Sequence, residues 1–317
     1  MKIVMYHYIR KPDANFPYWR FLHVDDFRRQ LDFFQKDGNI VTREQLEYAL
    51  EHGDPLTDKD YLLTFDDGLR DHYQFVLPEL QHRNVTGIFS CCAGSAMPVN
   101  VLDVHLVHAL IGAYGGEAML AHLKKTIGSA QIDLNSTRFR HAVYKLQPRN
   151  DETEFKRIVN YCLDRKARTF VLEKLRSNLL PEFNSDRCFY LQPAELKEMD
   201  AAGMIVGGHT VTHNLLARLC PAAQREEIGS NIDWLSAVLG RRILWFCFPY
   251  GGEISYNEYT LQILEEHGIR YCLSVDSRNV VVDDLEKPLT LPRYDCMEFP
   301  FGKSYQSLPH PRRASGL

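Results

Sequence analysis

A chain of 317 residues with 45% hydrophobic and 25% charged residues has the length and composition of one large globular domain or two small ones. Its formal net charge of −4 argues against a nucleic-acid-binding surface, which is usually basic. The sequence has no apolar run of about 18 residues, so a membrane-spanning helix is not expected.

The N-terminus and the cysteines both bear on the cellular compartment. Met1 and Lys2 lead directly into a strand pattern rather than into the apolar core of a signal peptide. The eight cysteines are scattered, several of them within apolar runs, and form no CxxC pair. This pattern is typical of free buried thiols in a reducing compartment, and it predicts a cytoplasmic protein.

The first elements alternate between strand and helix. Residues 1–10 have the pattern of a strand, and 24–38 have the spacing of an amphipathic helix that ends at a glycine. A second helix is predicted from Thr42 to about His52, with Thr42 as its N-cap residue and Gln45 three residues later.

A buried strand is predicted over 61–65, and a β-branched strand over 85–92. Between them, 72–84 has a helical pattern interrupted by Pro78, which predicts a kinked or broken helix.

The middle of the chain is helical in pattern, whereas strands and helices alternate on either side of it. We therefore expect an α/β fold, a distorted parallel (β/α) barrel formed by 1–96 and 185–302. Residues 97–184 would be an inserted helical subdomain that serves as a lid or a dimer face, so a homodimer is one expectation. Residues 303–317 are expected to form a flexible tail.

The strand over 61–65 leads into two adjacent carboxylates, Asp66 and Asp67, followed by Gly68. Strand ends of this kind are where α/β sheets build their sites. Two neighbouring carboxylates repel each other unless a cation lies nearby, and a metal would let one ligate while the other moves a proton. An ordinary Asp-Asp-Gly turn remains the alternative.

A second motif places His209 and His213 four residues apart, after a short strand pattern over 204–208. From a helical turn, two imidazoles at this spacing can converge on one ion. Two histidines and one aspartate are the ligand count of a catalytic divalent site. The alternative is a pair of histidines that face solvent.

The third motif is an aromatic strand pattern that stops at Pro249 and continues as Tyr250, Gly251 and Gly252. Glycines let the backbone turn sharply, and a backbone N–H at such a turn can stabilise an oxyanion. The alternative is a plain strand-to-turn junction with Tyr250 as a core aromatic.

These three segments, 64–68, 209–213 and 249–251, resemble in this order the motifs of the polysaccharide deacetylase family, carbohydrate esterase family 4. The family motifs are Thr-Phe-Asp-Asp-Gly, His-Ser/Thr-x-x-His and Pro-Tyr-Gly. The resemblance extends from the first strand to about residue 295, with the insert as an interruption. It implies a barrel of the polysaccharide deacetylase type.

The resemblance also implies a role for each matching residue. Asp66 would be the general base that activates a metal-bound water. The metal, usually zinc, would be held by Asp67, His209 and His213. By ligand type alone, Co²⁺, Ni²⁺, Mn²⁺ and Fe²⁺ also suit such a site. The backbone N–H of Tyr250 would stabilise the oxyanion.

The chain departs from the family pattern at two positions. Many members have an arginine two residues before the motif proline, where this chain has Cys247. Arg293, at another apolar strand end, is the predicted replacement, with a surface arginine as the alternative. Many members also have a general-acid histidine near the C-terminus. A circularly permuted branch carries it in an N-terminal Tyr-His pair, which points to His7; a core or edge-strand histidine is the alternative.

The sequence therefore predicts a metal-dependent hydrolase that removes an N-acetyl group from an acetamido sugar in surface-glycan biosynthesis, such as that of capsule or O-antigen. The substrate would be nucleotide-linked, lipid-linked or an oligosaccharide. Two alternatives remain: a hydrolase of another amide, such as a formamide or a cyclic ureide, and a catalytically inactive glycan-binding module. The mark of the inactive module would be a broken Asp/His set.

Overall fold

The chain forms two compact units. The computed structural model describes residues 1–93, 101–127, 149–180 and 189–305. The first unit comprises Met1–Arg10, Leu22–Leu102 and Ser185–Lys303, and the second comprises Lys11–Phe21, Asp103–Asn184 and Ser304–Leu317. The predicted barrel segment 1–96 includes Lys11–Phe21, whereas in the structure this stretch groups with the helices of the second unit. The predicted tail lies mostly outside the described residues.

The first unit is built on an eight-stranded sheet in which all pairs are parallel. Its strands are β1 Lys2–Tyr6, β4 Asn39–Ile40, β5 Asp60–Phe65, β6 Gly87–Cys91, β7 Ile205–Gly208, β8 Trp245–Cys247, β9 Tyr271–Leu273 and β10 Tyr294–Asp295. Two short strands, β2 Ile9–Arg10 and β3 Leu22–His23, pair separately. The order in the main sheet is β10-β1-β5-β6-β7-β8-β9, with β4 beside β5.

The sheet curls back towards its first strand. Leu273 of β9 forms a parallel bridge with Leu291, and the chain then continues into β10, which pairs with β1. With helices between successive strands, this is the predicted distorted parallel (β/α) barrel, and that prediction is confirmed.

Alternate residues of the strands belong to two apolar clusters. One cluster includes Ile3, Leu62, Ile88, Ile205, Trp245 and Leu273. The other includes Tyr6, Leu63, Phe65, Phe89, Val206 and Phe246, together with the helix residues Phe27, Leu31 and Phe34. Because successive strand residues point to opposite faces, the second cluster packs the sheet against helices and the first fills the opposite, inner face. Asp66 lies four positions after Leu62, and His209 four positions after Ile205. By the two-residue period of a strand, both therefore point to the same inner face.

Helices follow most strands of the first unit. They are α1 Val24–Asp37, α2 Arg43–His52, α3 Leu77–Arg83, α8 Pro193–Ala201, α9 Pro221–Leu239, α10 Glu258–Glu266 and α11 Val282–Glu286. The predicted capping of α2 is present, since Thr42 and Gln45 form a reciprocal capping box. Before α3, His72–Val76 forms a π-helical turn. The break falls ahead of Pro78, whose ring lacks the N–H that a continuous helix would use.

The second unit is helical, as the sequence predicts for the insert. Its helices are α4 Asp103–Tyr114, α5 Gly116–Ile127, α6 Asp151–Arg157 and α7 Arg165–Leu179. The 11–21 segment is bound to them by a hydrogen bond from the N–H of Tyr18 to the carbonyl of Gly112, at 2.8 Å. An ion pair between Arg20 and Glu152, at 2.9 Å, adds a second contact. The role of the helical insert as a lid or dimer face stays a prediction.

Two sequence expectations concern the whole chain. Among the helices in the described ranges, none has the length and apolar character needed to cross a bilayer. The described cysteines are free thiols, and Cys91, Cys92, Cys247 and Cys272 are buried.

Candidate active site

The strand register brings the motif residues to one end of the sheet. Tyr6 pairs with Phe65, so His7 and Asp66 directly follow on neighbouring strands. In the same way Cys91 pairs with Gly208, and His209 follows at the next strand end. This is the carboxyl end of a parallel sheet, where the side chains of several strands can meet.

Asp67, His209 and His213 form a group suited to a metal ion. Their ligand atoms lie within 4.8 Å of one another, and all three residues are buried. The Nε2 atoms of both histidines lie 3.4 Å from Oδ1 of Asp67. Nδ1 of His209 lies 2.7 Å from the carbonyl oxygen of Cys247, which can only accept a hydrogen bond, so Nε2 of neutral His209 offers its lone pair to the group. One carboxylate and two imidazoles fit a divalent cation of the zinc type.

The two histidines converge through a tight loop, and the predicted helical turn is wrong. Residues 209–213 follow β7 without helical structure. Thr210 and His213 have left-handed backbones, with φ of 67° and 57°, as has Asp67 with φ of 77°. Left-handed residues reverse the chain within a few positions and cost about 1 kcal/mol or more each. The hydroxyl of Thr210 accepts the N–H of His213 at 2.9 Å, which helps to offset this cost.

Helix α9 holds this loop through two buried polar residues. Glu227 accepts four hydrogen bonds, from the N–H groups of Val211 and Thr212 and from the side chains of Thr212 and Asn214. Asn231, one turn later, accepts the N–H of His209 at 3.0 Å. Sequence reasoning missed both residues. A signal was present in the sequence: Glu227 and Asn231 are four residues apart and border the apolar stripe of α9. Polar side chains at such positions are expected to be partly buried rather than to face solvent.

Arg293 contacts Asp66 through a bidentate pair. Its two terminal nitrogens donate to the two carboxylate oxygens, each at 2.9 Å, and Arg293 is only 1% exposed. The same guanidinium donates to the hydroxyl of Thr64 at 3.1 Å and to the sulfur of Cys247 at 3.0 Å. The alternative of a surface arginine is therefore wrong. Arg293 occupies the place beside the predicted base, although its role in catalysis stays a prediction.

The Arg293 contact controls the charge of Asp66. Burial by itself would raise the pKa of Asp66, but the charges of Arg293 and His209 and the hydrogen bonds from Arg293 outweigh it and lower the pKa to about 2. Asp66 is therefore ionised at neutral pH.

The pKa of His209 moves the other way. Burial would lower it, but Cys247, Asp67 and Asp66 together raise the pKa well above its ordinary value of 6.5. Metal binding must displace this proton, since only the neutral ring can ligate.

A second group, Asp66, His209 and Cys247, also has its ligand atoms within 4.8 Å of one another. Here the guanidinium of Arg293 already donates to both Asp66 and Cys247. Burial raises the pKa of the Cys247 thiol, and a protonated thiol is a poor ligand. Two members of this group, Asp66 and Cys247, therefore pair with an arginine, and the group is less suited to a metal than the first one.

Tyr250 and His7 border the metal group. Tyr250 has a left-handed backbone with φ of 66°, followed by Gly251 with φ of 67°. Its ring packs edge-on against the His213 ring, with centroids 4.9 Å apart, so it lies at the site rather than in a distant core. His7 is half-buried, follows the last residue of β1, and lies near enough to Asp66 for its charge to help lower the Asp66 pKa. The structure thus brings together all the predicted site residues; their individual roles stay predictions.

Comparisons with known proteins bear on the family and the fold. Residues 162–272 match the family model described as polysaccharide deacetylase, a stretch that includes His209, His213 and Tyr250 but not the Asp pair. No curated protein matches the chain significantly.

Three solved structures share the fold across most of both chains. The Streptococcus pyogenes deacetylase PplD, in complex with acetate, is 19% identical with a TM-score of 0.56, over 93% of this chain and 91% of that one. IcaB from Ammonifex degensii is 18% identical with a TM-score of 0.53, over 92% and 89%. The BpsB deacetylase domain from Bordetella bronchiseptica is 16% identical with a TM-score of 0.52, over 93% and 94%.

Fold and site define a parallel barrel protein with a carboxylate–imidazole group at the ends of its strands. A family model of polysaccharide deacetylases matches part of this chain, and solved structures of deacetylases share its fold. The predicted family resemblance is confirmed. Its circularly permuted branch stays a prediction.

Proposed function

We propose that the protein is a metal-dependent hydrolase that removes the N-acetyl group from an acetamido sugar. The observation that carries the proposal is the pairing of two differently held carboxylates. Asp66 is clamped by Arg293, while its neighbour Asp67 faces His209 and His213. Two carboxylates with separate partners can divide the work, one as base and one as ligand.

Asp67, His209 and His213 would hold the cation, which we expect to be Zn²⁺, with Co²⁺, Ni²⁺, Mn²⁺ and Fe²⁺ as the other candidates by ligand type. Bound there, a divalent cation would lower the pKa of a water and polarise the acetyl carbonyl.

Asp66 would act as general base. With a pKa of about 2 it stays ionised but is a weak base, so it can accept a proton only from a water more acidic than bulk water. As Asp66 takes that proton, the water oxygen bonds to the acetyl carbon. The bidentate contact with Arg293 keeps the carboxylate oriented for this transfer.

Collapse of the tetrahedral intermediate breaks the C–N bond and releases acetate and a free amine. The backbone N–H of Tyr250 would stabilise the oxyanion, since the left-handed Tyr250–Gly251 turn lies beside His213. His7 would donate the proton that the leaving nitrogen needs.

We further propose that the substrate is an acetylated amino sugar of surface-glycan biosynthesis, such as capsule or O-antigen, carried by a nucleotide, a lipid or an oligosaccharide. The acetate in the PplD complex matches the acyl product of such a reaction. A cytoplasmic location and a homodimer belong to the same proposal.

The test is acetate release by the zinc-loaded protein. Nucleotide-linked N-acetylglucosamine, its lipid-linked form and oligosaccharides of it are incubated separately, and acetate and free amine are quantified. We expect equimolar acetate and amine from at least one of them. Release from formamides or cyclic ureides alone would favour the other amide hydrolase, and sugar retention without acetate would favour the binding module.

A further inference from the structure

The carbonyl of His7 is bound by a second histidine that the mechanism above does not use. Nε2 of His72 lies 2.8 Å from the carbonyl oxygen of His7, 65 positions earlier in the chain. His72 is fully buried in the π-helical turn that follows the Asp pair. π-Helical turns often occur at functional sites.

This contact fills a gap in the sheet. His7 and Tyr8 lie between β1 and β2, where the backbone leaves the parallel ladder. A carbonyl there that is at least partly buried needs a donor from elsewhere. Tyr8 uses the N–H of Leu22, at 2.9 Å, and His7 uses the ring of His72.

The protonation of His72 follows from its surroundings. A carbonyl oxygen can only accept a hydrogen bond, so Nε2 of His72 carries the proton. Nδ1 is buried and has no hydrogen-bond partner among the described residues. The ring lies against Phe65 and Phe89, with centroids 5.5 and 5.9 Å away. Such apolar walls favour the neutral ring with a single donor.

A second contact ties the same turn to the same segment. Arg10 donates to the carboxylate of Asp71 at 2.7 Å. Asp71 and His72 thus bind the chain on both sides of Tyr8 and join the segment of the predicted acid to the turn that follows Asp66 and Asp67.

We propose, resting on the function proposed above, that His72 is a positioning residue that sets the place of the His7 imidazole relative to Asp66. A donor held by a rigid buried ring fixes the His7 backbone, from which the imidazole projects. Misplacement of a catalytic group by about 1 Å can cost about a hundredfold in rate.

Three variants separate the hydrogen bond from packing. His72→Phe keeps a ring and loses the donor. His72→Gln and His72→Met have the same chain length, but only Gln can offer an amide N–H near the position of Nε2. Tyr73→Phe is the matched control, because it removes a hydrogen bond from the same turn that goes to Glu198 rather than to His7.

We expect His72→Phe and His72→Met to lower kcat by about tenfold to a hundredfold, with KM within about twofold of the wild-type value. His72→Gln should restore kcat to within about threefold of the wild type. All variants should retain bound zinc, and Tyr73→Phe should match the wild type. Equal kcat per bound zinc in the Gln and Met variants would overturn the proposal, even if the Phe variant does not fold.

An NMR readout keeps this test separate from that of the deacetylase function. The ring Cε1–H signal of His7 is assigned by its loss in His7→Gln. We expect it to shift in the Met variant and to return in the Gln variant, whether or not any acetamido sugar is hydrolysed. An unchanged His7 signal in all three His72 variants would refute the positioning role on its own.

Discussion

The guanidinium of Arg293 forms two 2.9 Å hydrogen bonds to the carboxylate of Asp66, although the two residues are 227 positions apart in the chain. Both are nearly inaccessible to water. A buried ion pair of this geometry is stable only while both partners are present, because a single buried charge has no compensation.

We expect Arg293→Met to destabilise the protein by about 3–5 kcal/mol and to abolish turnover. The variant leaves a buried carboxylate unpaired, which raises the Asp66 pKa and frees its orientation. Urea unfolding and acetate release measure the two effects. The control is Arg29→Met, which removes an exposed pair with Asp26 and should change stability by less than about 1 kcal/mol. Similar losses in both variants would contradict the assigned importance of the Arg293 pair.

The two adjacent aspartates should respond differently to the same change. Asp66→Asn should abolish turnover yet keep the metal, because Asp66 is paired with Arg293 and is not one of the three residues that would hold the cation. Asp67→Asn should weaken metal binding, because its Oδ1 faces both histidines. Bound zinc is counted by mass spectrometry on the purified variants. Wild-type turnover in Asp66→Asn would show that another group is the base.

Much of this site could be predicted from the sequence, because motifs at strand ends are local. An apolar strand fixes where its next residue lies, so the strand patterns alone are enough to place Asp66 and His209 at the carboxyl end of the sheet. Parallel pairing then brings residues of neighbouring strands together: because Tyr6 pairs with Phe65, His7 lies beside Asp66.

Other features could not be predicted because they depend on tertiary contacts. The left-handed backbone of Thr210 has no local signal, since a β-branched residue rarely adopts that region. It exists because Glu227, on a helix that starts several residues later, accepts the loop's N–H groups. The grouping of Lys11–Phe21 with the helical unit likewise rests on a long-range hydrogen bond to Gly112.

Glu227 should therefore support metal binding without touching the metal. We expect Glu227→Gln to weaken zinc affinity by about tenfold to a hundredfold, because the neutral amide accepts the loop's hydrogen bonds less strongly and the His209–His213 loop loosens. Competition with a chromophoric chelator measures the affinity. Glu226→Gln on the same helix is the control, since among the described residues the carboxylate of Glu226 accepts a hydrogen bond only from exposed Ser230. Equal zinc affinity in the two variants would mean that contacts other than those of Glu227 hold the His209–His213 loop.

His72 gives a prediction about stability and pH. Burial lowers the pKa of His72 below its ordinary value of 6.5, so the folded protein resists a proton that the unfolded chain accepts. Stability from this group is fully present above pH 6.5 and is lost as the pH falls towards the folded-state pKa. The loss can reach about 1.4 kcal/mol per pH unit for one proton.

His72→Gln removes this titration and leaves the other histidines in place. We expect the free energy of unfolding, from urea titrations at several pH values between about 5 and 7.5, to fall less steeply with acid in the variant than in the wild type. The difference between the two slopes of unfolding free energy against pH reports His72 alone, because the other titrating groups are present in both proteins. Parallel curves would mean that His72 takes up its proton equally in the folded and unfolded states. The burial of the ring would then not disfavour its protonated form.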